Sequence, residues 1–202
     1  MTEASSKGRL ILVRHGESEG NRDRTFTQHV DVPLTETGRE QARAAGERIE
    51  KLFEPTRIFA SPYARARTTA EIIGERLNLP VDIEPDLREQ SFGVFAGKPY
   101  ESMLSDAADH DGPRWSWRPK EGESLVDVYE RAVPAFERIA RAWAGHDVVV
   151  VSHGGVMLAL CAFVGGGWEK QLLAPNAGIV VVEHDGKTYG MPIRIDHDRD
   201  VY

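Results

Sequence analysis

"LILVRHGESEGN", residues 10–21, carries four aliphatic side chains straight into an arginine, a histidine and a glycine. A short run of Ile, Leu and Val reads as a strand buried on both faces. A charged pair at the end of such a strand means that the end reaches solvent or floors a site. "HDVVVVSHGG", residues 146–155, repeats the device, since another buried strand runs into a His-Gly step. In open α/β sheets, ligands bind beyond the carboxyl ends of the strands. Two histidines delivered there can converge on one pocket, and the glycines let the chain turn sharply and a ligand come close.

Outward from these strands the pattern alternates. "TETGREQARAAGERIEKLF" (35–53) puts Ala42, Ala45, Ile49 and Leu52 at helical spacing, with Thr37 and Glu40 as a capping box. "TRIFAS" (56–61) is a second strand, followed by a helix in which Ser61 is expected to cap and Pro62 to open the first turn. "PVDIEP" (80–85) is a brief third strand. Residues 87–122 show no period and carry glycines, prolines and two tryptophans, which marks a functional excursion.

Residues 123–145 form a helix that Pro134 is expected to kink, and "VMLALCAFVG" (156–165) a buried one. "AGIVVVEHDG" and "KTYGMPIRI" (177–195) are two strands joined at Asp185-Gly186. The fold class is therefore α/β: a three-layer α/β/α sandwich, its central sheet mostly parallel with an antiparallel edge. Residues 1–8 read as a disordered N-terminus, and 9–202 as a single domain with an excursion at about 95–120.

Composition narrows the function. A chain of 202 residues, 41% hydrophobic, suits one domain with a sizeable core. A net charge of −7 argues against a general nucleic-acid binder, yet allows a basic pocket for one small anion. The single cysteine, Cys161, excludes an internal disulfide and sits in an apolar run, as a buried thiol rather than a nucleophile. No segment reads as a signal peptide or membrane span, so a cytoplasmic protein without a membrane partner is expected. The oligomeric state stays open, a homodimer through the C-terminal hairpin being one arrangement.

Paired histidines with arginines point to phosphoryl chemistry. A neutral imidazole attacks phosphorus when one ring nitrogen is held as a donor and the other faces the substrate. Positioned cations stabilise the charge on the phosphoryl oxygens, and the planar fork of arginine pairs two of them at once. Arg14 adjoins His15, and Arg65 falls in the first turn of a helix beyond a strand end. Taken singly, Arg14 is an ordinary strand-end charge and His15 a structural histidine. Jointly they make a constellation.

In order along the chain stand "LVRHGES" (12–18), "LTETGREQA" (34–42), "SPYARARTTA" (61–70), "LREQSFG" (87–93), "GESLVDV" (122–128) and "VSHGG" (151–155). Together they resemble the histidine phosphatase superfamily, also called the phosphoglycerate-mutase-like family. The resemblance implies that fold and these roles: His15 as the nucleophile that becomes phosphohistidine; Arg14, Arg65 and His153 as holders of the phosphoryl oxygens; Glu89 as general acid, then base. It further implies phosphate contacts from Asn21 and from the backbone at Gly154, where a helix begins. Neither metal nor other cofactor is implied, because the arginines supply the charge. Arg67 and Arg88 read as surface or supporting charges, and His29, His110, His146, His184 and His197 as loop or turn residues. "SDAADHDG" and "DHDRD" read as solvated acidic segments. Trp115 and Trp117 are either a lid over the pocket or simple packing.

Two activities share these residues. The stretch "FTQHVDVPLTE" (26–36) resembles the mutase loop at Phe26, Thr27 and Asp31, but Gln28 stands where mutases carry glycine. Thr27 and Gln28 are thus expected at the substrate. Mutases also have a longer insertion with paired arginines, whereas here Arg114 and Arg118 are separated by tryptophans in a shorter excursion. The expectation is a metal-independent phosphomonoesterase acting on a small phosphorylated metabolite. A phosphoglycerate mutase and an inactive phospho-ligand-binding relative are the alternatives.

Overall fold

Side chains alternate between the two faces of each central strand, and that alternation builds two cores. In β1 (Gly8–Arg14), Leu10 and Leu12 enter one cluster while Ile11 and Val13 enter the other. In β4 (Asp147–Ser152) the odd valines 149 and 151 likewise part from 148 and 150. The computed structural model describes residues 7–27, 29–169 and 172–195; Gln28, His197 and the "DHDRD" stretch lie outside them.

Between these strands run α1 (Glu19–Arg22), α2 (Glu36–Leu52), β2 (Pro55–Ala60), α3 (Ala64–Leu77), β3 (Val81–Ile83), α4 (Leu104–Ala108) and α5 (Leu125–Ala142). After β4 come α6 (Gly154–Gly165), β5 (Ile179–His184) and β6 (Ile193–Ile195). The sheet order is β3-β2-β4-β1-β5-β6, with β3, β2, β4 and β1 parallel and β5 antiparallel to both its neighbours. Ala45 and Ile49 of α2 pack with Ala66, Ala70 and Ile73 of α3 on one face. Val128, Ala132 and Phe136 of α5 pack with Val156, Met157 and Leu160 of α6 on the other. This is the expected three-layer sandwich with its antiparallel edge. Each fully buried aliphatic chain contributes ~1.5–3 kcal/mol relative to exposure.

The topology creates the crevice. β1 leads into α2 on one face, whereas its neighbour β4 leads into α6 on the other. Chain directions part where these two strands end, and ligands bind at such a switch point. Arg14 pairs in register with Ser152, so His15 and His153 each stand one residue past the last rung.

Four local expectations need correction. Residues 1–6 of the expected disordered N-terminus lie outside the described residues, and Gly8 already belongs to β1. Helix α2 is capped by Thr35, whose extended backbone lets its side chain accept from the Gly38 amide; Thr37 lies inside the helix and makes no capping box. Ser61 does not cap α3, which starts at Ala64 behind Tyr63. Finally, His184 is no turn residue but the buried last residue of β5, with the Asp185-Gly186 turn just beyond. That turn has Gly186 at φ +86° and the Asp185 carboxylate accepting from the amides of Lys187 and Thr188. Helix α5 runs continuously across Pro134.

Candidate active site

Two glycines set the first wall. The turn after β1 passes so close to α2 that a β-carbon on Gly16 would overlap the Gly38 carbonyl, and one on Gly38 would overlap the Glu17 backbone. The reciprocal contact seats the 15–18 turn directly on the start of α2. Ser18 then caps α1 in a capping box with Asn21.

His15 is buried, with Nδ1 2.7 Å from the Gly16 carbonyl oxygen. A carbonyl only accepts, so Nδ1 carries the proton and Nε2 is left as a bare lone pair. Burial, with the Arg65 and Arg14 charges added, holds the imidazole well below its ordinary pKa. The tautomer with a free Nε2 is thus built into the fold. Across from it His153, fully buried, lies with its ring centroid 5.1 Å away in an edge-on arrangement. Its Nε2 shares a 2.7 Å hydrogen bond with the Ser61 hydroxyl, and its Nδ1 is buried without a partner in the protein. When the hydroxyl donates to Nε2, Nδ1 bears the proton and is free to donate to an oxyanion.

The two arginines are held by carbonyls, not by carboxylates. Arg14 gives one N–H to the Ala174 carbonyl at 3.1 Å, and its buried Nε has no protein partner. Arg65 reaches the carbonyls of His29 and Thr27 at 3.4 and 3.3 Å and lies over the Tyr63 ring at 4.9 Å. Their charges stay available for an anion. This is the chemistry of a site suited to an oxyanion.

Glu89 brings a buried carboxyl to the same place. Its Oε1 accepts from its neighbour's amide, Gln90, at 2.9 Å and from Gly155 at the start of α6 at 3.2 Å. With Oε1 so engaged, the carboxyl proton belongs on Oε2. Burial raises its pKa above the ordinary value; the two amides and the Arg65 and Arg14 charges oppose that rise.

A cavity of about 390 Å³ brings these groups together, lined among others by Arg14, His15, Asn21, Thr27, Arg65 and Glu89. Asn21 and Thr27 both line it; the Thr27 carbonyl is spent on Arg65 and the Asn21 amide donates to the Tyr100 hydroxyl at 3.3 Å. His153 borders the site through His15 and Tyr63, and Gly154 lines a neighbouring cavity with Arg14. Arg67 pairs with Glu71 at the surface and Arg88 with Glu123, as expected of supporting charges. Arg118 pairs with Asp127. Cys161 is a buried thiol pushed up to about 11, which keeps it protonated. Among the described residues no three His, Cys, Asp or Glu side chains converge in a set able to hold a metal, and no helix is long and apolar enough to cross a membrane.

Sequence reasoning missed the supports. Ser61 orients His153. Asn176 donates one amide to both the His15 carbonyl and the Asn21 side chain, at 3.1 and 3.0 Å. Arg131 of α5 donates to the carbonyls of Asp86, Arg88 and Glu89 while forking onto Glu123, and so fixes the segment that carries Glu89. No local signal marks these residues, since their partners lie from 8 to 161 positions away.

The fold and this cluster of histidines, arginines and one carboxyl define a phosphoryl-transfer class. The sequence model of the histidine phosphatase superfamily (branch 1) matches residues 10–192, and the chain belongs to that superfamily. It is 38% identical over 167 residues to a glucosyl-3-phosphoglycerate phosphatase of Mycolicibacterium vanbaalenii, covering 76% of this chain and 72% of that one. It is 37% identical over 187 residues to a probable phosphoglycerate mutase of Photorhabdus laumondii, covering 87% and 84%. A solved mycobacterial glucosyl-3-phosphoglycerate phosphatase superposes with a TM-score of 0.78 at 29% identity, over 93% of this chain and 97% of that one.

Proposed function

We propose that the protein is a phosphomonoesterase that works through a phosphohistidine on His15, with a small phosphorylated metabolite as substrate. The observation that carries this reading is the His15 Nδ1–Gly16 carbonyl bond, which leaves Nε2 as a bare lone pair on a residue lining a cavity shared with two arginines and Glu89. Arg14, Arg65 and His153 hold the phosphoryl oxygens as negative charge spreads over them. Nε2 of His15 attacks phosphorus; the P–O ester bond breaks and Glu89 gives its proton to the departing alkoxide. Glu89, now ionised, takes a proton from water, whose oxygen displaces the imidazole and releases inorganic phosphate. Arginine charge suffices for these steps without a resident metal. A substrate of this kind is in keeping with a cytoplasmic enzyme.

The mutase-named relative supports a second reading, in which the phosphohistidine is returned to a glycerate instead of to water. One experiment separates them. Rapid quench with a labelled phosphomonoester is expected to trap an acid-labile, base-stable adduct that His15→Ala lacks. Phosphate release from 3-phosphoglycerate, glucosyl-3-phosphoglycerate and an aryl phosphate is expected to outrun formation of 2-phosphoglycerate. No adduct, with His15→Ala fully active, sinks the mechanism; isomerisation outrunning hydrolysis makes the protein a mutase.

A further inference from the structure

Beside the phosphoryl site lies a second cavity, of about 480 Å³, most of whose own walls the chemistry above does not use. Arg14, Phe26, Phe92, Met103, Arg114 and Leu173 border both spaces, so one adjoins the other. Beyond that shared rim the walls are mainly Trp115, Trp117, Leu125 and Leu158.

These walls are built into the fold. Trp115 lies parallel to Trp168 with centroids 6.0 Å apart, and Trp168 rests on Tyr129 at 5.9 Å. Trp117 meets Phe95 at 6.0 Å. Some of the cavity's polar groups are already engaged. The Gln90 side chain spends its Nε2 on the Glu123 carbonyl at 2.6 Å, and the Gly155 amide is spent on Glu89. The cations at the rim, Arg14 and Arg114, border the phosphoryl cavity as well. A polyhydroxylated leaving group entering this space gives up hydrogen bonds to water for walls that are mainly indole and leucine, with donors confined to the Gly154 amide, the indole N–H groups and the rim arginines. An apolar one frees water from both surfaces.

Resting on the phosphomonoesterase reading, we infer that the substrate is the phosphate ester of an alcohol whose aromatic or branched aliphatic body fills this second cavity, not of a sugar or polyol. Trp115 and Trp117 are then both packing and the walls of the leaving-group site.

The test compares 2-phenylethyl phosphate with glucose 6-phosphate, two primary alkyl esters of similar intrinsic reactivity. The apolar ester is expected to have at least about a tenfold higher kcat/KM, the scale on which apolar pockets discriminate. Trp117→Ala, or Leu158→Ser where the first variant does not fold, brings that ratio toward one. Equal rates, or a preference for the sugar ester, overturn the inference and leave the phosphatase reading standing. Failure of both esters to release phosphate or to phosphorylate His15 overturns the two together.

Discussion

A β-carbon on Gly155 would stand 2.7 Å from Oε1 of Glu89, the same oxygen that the Gly155 amide holds at 3.2 Å. The Glu89 carboxyl, the proposed general acid, occupies the space that a side chain would need. Gly155→Ala is therefore expected to lower kcat about tenfold or more while moving Tm little, because the displaced group is a side-chain end. Gly38→Ala pushes instead on the Glu17 backbone and is expected to cost stability first, by ~1–3 kcal/mol as in other overpacked sites. Thermal melts and steady-state kinetics on both variants check the contrast; equal effects on Tm refute it.

Replacing the acid itself gives a leaving-group signature. Glu89→Gln keeps the shape but cannot donate, and is expected to cost about 10²–10⁴-fold in kcat on alkyl esters. On p-nitrophenyl phosphate, whose phenolate leaves unaided, the loss is expected to be much smaller. An equal loss on both substrates assigns the proton to some other group.

The pH profile follows from two opposite shifts. His15 must be neutral and sits well below the ordinary imidazole value of 6.5, so the acid limb of kcat/KM falls below that pH. Glu89 must be protonated and sits above 4.5, so the alkaline limb reflects its ionisation as pH rises through the elevated value. Stability has its own sign. His15, His153 and His184 are all depressed in the fold, so between 6.5 and their folded values the unfolded chain binds more protons. Stability is then expected to fall as pH drops below 6.5, and to be insensitive to these groups above it. A Tm that rises on acidification through that window contradicts the prediction.

Arg131 holds Glu89 in place without lining the cavity. Arg131→Lys keeps the charge but loses the fork that spans three carbonyls and the Glu123 carboxylate. The expected result is a fall in kcat with KM little changed, and a displaced alkaline limb. Arg131→Ala leaves the Glu123 carboxylate to Arg88 and the Ser91 amide, frees three carbonyls, and is expected to cost ~1–3 kcal/mol as well. A lysine variant with an unaltered pH profile reduces Arg131 to a purely structural part.

Ser61 shows why part of the site was hidden. A serine before a proline at a strand end carries the local signature of a helix cap, and nothing nearby reveals that the hydroxyl faces His153, 92 positions on. Ser61→Ala is expected to destabilise by ~1–3 kcal/mol, since it strands a fully buried ring nitrogen. The strand ends at Arg14-His15 and Ser152-His153 and the sheet class were legible, because hydrophobic runs and a Gly-marked turn are local facts; Glu89, in a segment without period, was singled out only through the family resemblance. Thr35 displaced Thr37 as the cap for a local reason too subtle to read, the backbone angle at the helix start. Asn176, Arg131 and Ser61 act only across the tertiary structure, so their roles appear when the chain has closed on itself.

The matched rung of Arg14 and Ser152 has one more consequence. His15 and His153 are both suspended from the last step of a single ladder, so neither can be displaced without unzipping the most deeply buried pair of strands. Slippage of β1 against β4 by one residue would turn every core side chain to the wrong face at the same time as it misaligned the two imidazoles. Hydrolysis is thus a gauge of the sheet: a molecule that turns over substrate has the centre of its fold in register.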